Sequence, residues 1–142
     1  MTKHYSALVI GGGIAGIQAS LDLAQNGFMV YLVEKQPELG GTVKELSRLF
    51  PTFQDAEKTV DTLIEKVVCN PHIKVLTKTE VKDVTGSFGN FRAEILSEGG
   101  EQKVQADAII VATGFTQYDA QKVGQYKYGQ YRNVITGLEY EA

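Results

Sequence analysis

The chain has 142 residues and a formal net charge of −3, a size that suits one domain with a core needing no covalent staples. Hydrophobic residues make up 43% and charged residues 22%; this is an ordinary globular composition, and its acidic balance argues against a nucleic-acid-binding surface. No apolar stretch is long enough to insert in a membrane, no signal peptide is evident, and the single cysteine, Cys69, excludes an internal disulfide, so a cytoplasmic, reducing setting is the expectation.

Residues 7–10 (ALVI) form a short continuous apolar run, the pattern of a central parallel strand buried on both faces. Gly11, Gly13 and Gly16 follow in the spacing G-x-G-x-x-G. Gly11 allows a tight turn out of the strand, Gly13 lets backbone approach a pyrophosphate, and Gly16 lets the next helix pack closely on the sheet. That helix carries Ile14, Ile17, Leu21 and Ala24 on one stripe. Its first turn, with Ile14 and Ala15, offers free N–H groups and the positive end of the helix dipole to phosphates. Asn26 and Gly27 end the helix, both residue types tolerating a left-handed cap. Residues 29–33 are a second apolar strand with Glu34 at its end. A carboxylate there accepts hydrogen bonds from ribose hydroxyls and repels the extra phosphate of NADP. Lys35 either lies along the ribose or adenine or is a solvated lysine.

Strand, glycine turn, helix, strand and acidic residue together define an adenine-dinucleotide site far better than the glycine motif alone. A second glycine pair, Gly40-Gly41, precedes Thr42, as in FAD-binding flavoproteins, where it brings another backbone segment to the pyrophosphate. Thr42 either donates to a phosphate or caps the next segment. Later, residues 109–114 (IIVATG) form an apolar strand ending in Ala112, Thr113 and Gly114, a segment that closes the FAD site in flavoproteins with two dinucleotide domains. These two features favour FAD over NAD.

Between these motifs, residues 43–53 read as an irregular or short helical link broken at Pro51. Asp55 is the expected N-cap of a helix running to about Val68, with Val60, Leu63, Ile64 and Val67 as its apolar stripe and Asn70-Pro71 as its stop. Residues 73–76 are a short strand. Residues 81–85, 91–96 and 103–104 read as three antiparallel strands joined by turn-rich connections. The expected fold class is α/β: a single Rossmann-like FAD/NAD(P)-binding domain over residues 1–142. Its parallel sheet is covered by helices, and an antiparallel three-stranded β-meander is inserted at 79–105. Val81, where the chain enters the meander, is either an adenine contact through its backbone or a core strand residue. Residues 115–142 form a Tyr/Gly-rich tail; its tyrosines either line a flavin- or partner-facing surface or pack on their own domain. Cys69 reads as a small residue near a helix end rather than a redox thiol, and with His72 it makes a poor metal site. His4 is expected on the surface. No metal site and no catalytic acid, base or nucleophile emerges.

The segments VIGGGIAGIQASLDLAQNGFMVYLVEKQPELGG, LFPTF, NPHIKVLTKTEVKDVTGSFGNF and IIVATGFTQYDAQKVGQYKYGQYRNVITGLEYE resemble the heterodisulfide reductase A family. That family includes the flavoprotein subunits of quinone-interacting membrane-bound oxidoreductase complexes. The resemblance spans nearly the whole chain, and its tail is the more specific part. It implies the N-terminal FAD-binding portion of a longer flavoprotein that passes electrons to iron–sulfur or flavin partner subunits, in some members within a membrane-associated complex. One cysteine cannot supply the four thiolates that each iron–sulfur cluster needs, so this chain departs from the cluster-bearing members. Two other readings stay open from the residues: an NAD-binding dehydrogenase domain, and a non-catalytic interaction module that has lost its cofactor.

Overall fold

A computed structural model describes residues 5–141; His4 lies outside them. Strands β1 (Ser6–Ile10), β2 (Met29–Val33), β5 (Ile73–Leu76) and β9 (Ala108–Val111) form a parallel sheet in the order β5-β2-β1-β9. Strand β1 is central because every one of its side chains is apolar or small, and Ala7, Leu8 and Val9 are fully buried. Helices α1 (Ile14–Gln25) and α2 (Ala56–Val68) connect the parallel strands.

Alternation along β1 and β2 separates two cores. Val9, Val30 and Leu32 pack with Ile17 and Ala24 of α1 and Val67 of α2. Leu8 and Val33 face the other way, onto Ala93, Ile95, Val104 and Ala106. Those four residues belong to an antiparallel sheet of β6 (Glu80–Ser87), β7 (Asn90–Ser97) and β8 (Gly100–Ala106), paired in that order. The result is three layers, helices, parallel sheet and meander, with period-2 side-chain alternation feeding both interfaces. Each fully buried Leu or Ile in these interfaces contributes roughly 1.5–3 kcal/mol relative to exposure. The meander is tied to β1 through Asp107: Ser6 N donates to its Oδ2 at 2.8 Å, and Asp107 N donates to the Ser6 carbonyl at 2.8 Å.

The expected N-cap of α2 is present: Asp55 Oδ1 accepts from Lys58 N at 2.9 Å, which satisfies one of the free donors of the first turn. Three details differ from the sequence reading. Only Gly27 is left-handed at the end of α1, at φ +84, while Asn26 stays at φ −88 and donates Nδ2 to the Asp22 carbonyl. Residues 43–53 are not simply a link: a 3-10 turn (Gly41–Glu45) leads into a small hairpin of β3 (Arg48–Leu49) and β4 (Gln54–Asp55). The meander strands run longer than their apolar cores, because ladder hydrogen bonds continue through the polar residues toward the turns. Cys69 is the C-cap of α2, at the helix end as read from the sequence, and is exposed. Among the described residues no helix is long and apolar enough to cross a membrane.

Candidate functional site

The carboxyl ends of β2, β1 and β9 lie level with one another. Ile10 is in register with Val33 on one side and with Val111 on the other. The chain therefore delivers Gly11, Glu34 and Ala112 side by side at one edge of the sheet, where ligands of parallel α/β sheets bind. Gly11 N donates to the Val33 carbonyl at 2.8 Å, and Ala112 N to the Ile10 carbonyl at 2.8 Å.

Each glycine of the turn meets a different constraint. Gly11 sits at φ +110, and a Cβ there would come within 2.2 Å of the Ala112 carbonyl oxygen. A Cβ on Gly16 would stand 1.8 Å from the Gly11 carbonyl oxygen, so the first turn of α1 packs directly on the glycine turn. Gly13 differs: a Cβ there meets nothing within 4 Å. Its missing side chain relieves no contact within the protein and leaves space at the mouth of the turn. Gly13 is also the N-cap of α1, in extended conformation and with no side-chain cap, so no cap side chain occupies the first-turn donors of α1.

The second glycine pair closes the other side. Gly40 N donates to the Gly12 carbonyl at 2.8 Å, and Gly13 and Gly40 form an isolated parallel bridge. A Cβ on Gly41 would lie 3.1 Å from Gly13 Cα. Thr42 sits one residue inside the 3-10 turn whose N-cap is Gly40, so it does not cap that segment. Lys44 lies across Gly40 and bridges Glu38 and Asp61, at 3.6 Å each, linking this loop to α2.

Glu34 is the polar centre. Its Oε2 accepts from Gly12 N at 2.6 Å, and its Oε1 accepts from Gln36 N at 2.8 Å. Each oxygen keeps acceptor capacity for a further donor. Gly12 is buried, and a Cβ on it would strike Leu39 Cδ2 and Glu34 Cβ. Gly12 is thus a site residue that the motif leaves as an unspecified x; the run of three glycines was its only sequence signal. Beyond Glu34, Thr79 N donates to the Glu34 carbonyl at 2.9 Å and Lys78 N to the Gln36 carbonyl at 3.0 Å. Between these segments runs a groove of about 590 Å³, lined in part by Lys35, Gln36, Lys78, Thr79 and Glu80. Lys35 is exposed at its rim. The Lys82 ammonium, hydrogen-bonded to Glu80 at 2.7 Å, holds that carboxyl below its usual range. Val81 turns its side chain into the meander core, on β6 at the edge of its sheet.

On the opposite side, Ala112 is half-buried while Thr113 and Gly114 are exposed. The tail beyond them is mostly exposed, including Tyr118, Tyr126, Tyr131 and Tyr140, so these four tyrosines do not pack into the layers below. Tyr128 is the half-buried one; its hydroxyl donates to Glu139 Oε1 at 2.7 Å. Ser47 N donates to Glu141 Oε2 at 3.3 Å, which brings the end of the tail back to the β3 strand.

This geometry is that of a Rossmann-like α/β fold of the dinucleotide-binding type. Residues 5–139 match the pyridine nucleotide-disulphide oxidoreductase family, to which the chain belongs. The chain is 32% identical to an A-type iron-sulfur subunit of the CoB–CoM heterodisulfide reductase of Methanopyrus kandleri, over 96% of this chain and 32% of that protein. It is 47% identical to the corresponding A-type subunit of Methanocaldococcus jannaschii, over 63% of this chain and 14% of that protein. The chain thus spans about a third or less of these relatives. The M. kandleri alignment extends over 214 positions against a chain of 142, so that relative carries residues within the matched stretch that have no counterpart here. Among solved structures, L-proline dehydrogenase from P. horikoshii superposes with a TM-score of 0.69 at 26% identity, over 80% of this chain and 24% of that one. Thioredoxin reductase from T. acidophilum shares the fold, with a TM-score of 0.68 at 20% identity over 83% of this chain and 38% of that one.

Proposed function

We propose that this chain is the FAD-binding portion of a heterodisulfide-reductase-A-like oxidoreductase that passes electrons to iron–sulfur or flavin partner subunits. The carrying observation is the open position at Gly13, enclosed by the uncapped start of α1, the Gly40-Gly41 pair and Glu34. This favours a diphosphate there: an uncapped helix start offers backbone donors to an anion, and nothing lies within 4 Å of a Cβ placed at Gly13.

Gly11, Gly13 and Gly16 shape the cradle, and Ile14 and Ala15 donate backbone N–H groups to phosphate oxygens. Glu34 accepts from the adenosine ribose hydroxyls with the lone pairs that Gly12 and Gln36 leave open. Lys35 flanks the ribose, the Val81 backbone meets the adenine edge, Gly41 and Thr42 close over the phosphates, and Ala112, Thr113 and Gly114 approach from β9. Bound FAD would supply the redox chemistry, and the protein supplies position and electrostatics. Partner subunits are favoured because the relatives are named as subunits of larger reductases. The lone thiol fits a reducing, cytoplasmic setting.

Equilibrium dialysis against FAD and NAD tests the reading. Saturable FAD binding at one per chain is expected. NAD binding without FAD binding would move the chain to the nicotinamide dehydrogenases, and binding of neither would overturn the dinucleotide assignment.

A further inference from the structure

The segment that carries Gly40 and Gly41 is held against the glycine turn mainly by polar contacts. Leu39 is buried where the segment begins, but the 3-10 turn Gly41–Glu45 buries no residue. Gly40 N donates to the Gly12 carbonyl, and Gly40 bridges Gly13. Lys44 adds a tether of another kind. Its stem lies over Gly40, where a Cβ would stand 2.8, 2.9 and 3.0 Å from the Lys44 Cγ, Cδ and Cε. Its ammonium reaches Glu38 Oε2 and Asp61 Oδ1 at 3.6 Å each. Glu38 precedes the glycine pair and Asp61 lies on α2, so one cation joins both flanks of this loop to the helix. Exposed ion pairs contribute little when isolated. This cation is shared by two carboxylates, its side chain is only 33% exposed, and it clamps a turn with no buried side chain, where local opening needs little free energy.

We infer that Lys44 is a positioning residue: its ammonium, shared by Glu38 and Asp61, latches the Gly40-Gly41 segment to α2 and keeps it closed beside Gly13, so that breaking the latch speeds release of a bound dinucleotide. This rests on the dinucleotide reading above. Lys44 acts through Gly40 and touches no ligand itself. The charge carries the role, because the stem alone has no partner on α2 to hold. A helix remote from the diphosphate thereby sets how long the ligand stays.

Two rates in the whole chain test this: amide exchange at Gly40 without ligand, referred to the amides of β1, and FAD dissociation. Lys44→Met keeps most of the stem and removes the charge, and Lys44→Arg keeps the charge. At low salt Lys44→Met should speed both rates by about threefold or more, Asp61→Asn should speed them less because Glu38 remains, and Lys44→Arg should stay near wild type. Raising salt from about 0.01 M to about 1 M shortens the screening length from about 30 Å to about 3 Å. Gly40 exchange should then speed up in the wild type and stay nearly constant in Lys44→Met. Unchanged rates in Lys44→Met, equal acceleration in Lys44→Arg, or faster Gly40 exchange with unchanged FAD release would overturn the inference and leave the dinucleotide reading standing. So would exchange that speeds up equally across β1. A wild-type chain that binds no FAD would overturn that reading, and this inference with it.

Discussion

Gly12 donates its backbone N–H to Glu34 Oε2 at 2.6 Å, so the acidic residue at the end of β2 holds the shape of the glycine turn as well as facing the site. The motif describes Glu34 as a ribose acceptor. The structure adds a second task, because Gly12 is buried and Glu34 supplies the acceptor for its N–H. Binding and local stability are therefore coupled through one carboxylate.

Glu34→Ala is expected to lower FAD affinity at least about tenfold and also to cost roughly 1–3 kcal/mol of stability, the penalty of an orphaned buried donor. Glu34→Gln should fall between the two. A glutamine has one acceptor oxygen for the two backbone donors that Glu34 now serves. Urea unfolding of both variants, beside FAD titration, checks this; unchanged stability in Glu34→Ala would show that the Gly12 contact contributes nothing.

Gly13→Ala and Gly16→Ala should separate ligand space from packing space. A Cβ at Gly13 meets nothing, and the residue sits at φ −74, so that variant should unfold at the wild-type midpoint and yet lose FAD. A Cβ at Gly16 collides with the Gly11 carbonyl, so that variant should lose stability, by about 1–3 kcal/mol or more, from overpacking. Retention of FAD by Gly13→Ala would show that the diphosphate lies elsewhere.

Leu8 and Ile95 belong to the core between the parallel sheet and the meander, both nearly fully buried. Leu8→Ala or Ile95→Ala should cost about 2–5 kcal/mol through lost burial and a residual cavity. Asp55→Ala should cost only about 1 kcal/mol, the usual value of an N-cap. Thermal unfolding ranks the three variants, and a cap effect equal to the core effects would contradict the layered packing.

The turn at Glu139 should respond to acid. Its carboxylate accepts from Thr136 N and from the Tyr128 hydroxyl, at 2.7 Å each. The Thr136 donor foremost, then Tyr128, hold its pKa below the usual value, and the same contact to Glu139 raises the Tyr128 phenol. A carboxyl with a lowered folded-state pKa contributes stability above its unfolded pKa and loses that contribution as pH falls through the folded one. The Tyr128 phenol has the opposite sign: its contribution is present below its ordinary pKa and lost as pH rises through the raised value. Amide exchange at Thr136 should thus speed up at acidic pH in the wild type and be pH-insensitive in Glu139→Gln over the same acidic range, beyond the intrinsic rate. Identical acid profiles would show that the contact does not order this segment.

Local chemistry made much of this protein legible before any tertiary structure. The apolar runs at 7–10 and 29–33 became parallel strands because continuous apolarity suits burial on both faces. Asp55 announced its helix, since few residue types satisfy an N-cap, and the family resemblance rested on segments along nearly the whole chain, the tail most specifically. Tertiary structure alone decided the rest. It placed Gly40-Gly41 against Gly13, made Gly12 a partner of Glu34, and kept Thr42 out of the capping position. It also divided Leu8 and Val9 between two different cores, and left the β9 side of the glycine turn exposed while burying residues on the Glu34 side. The reason is physical: propensity and periodicity act over a few residues, whereas these features depend on which distant backbone segments come within hydrogen-bonding distance once the layers have packed.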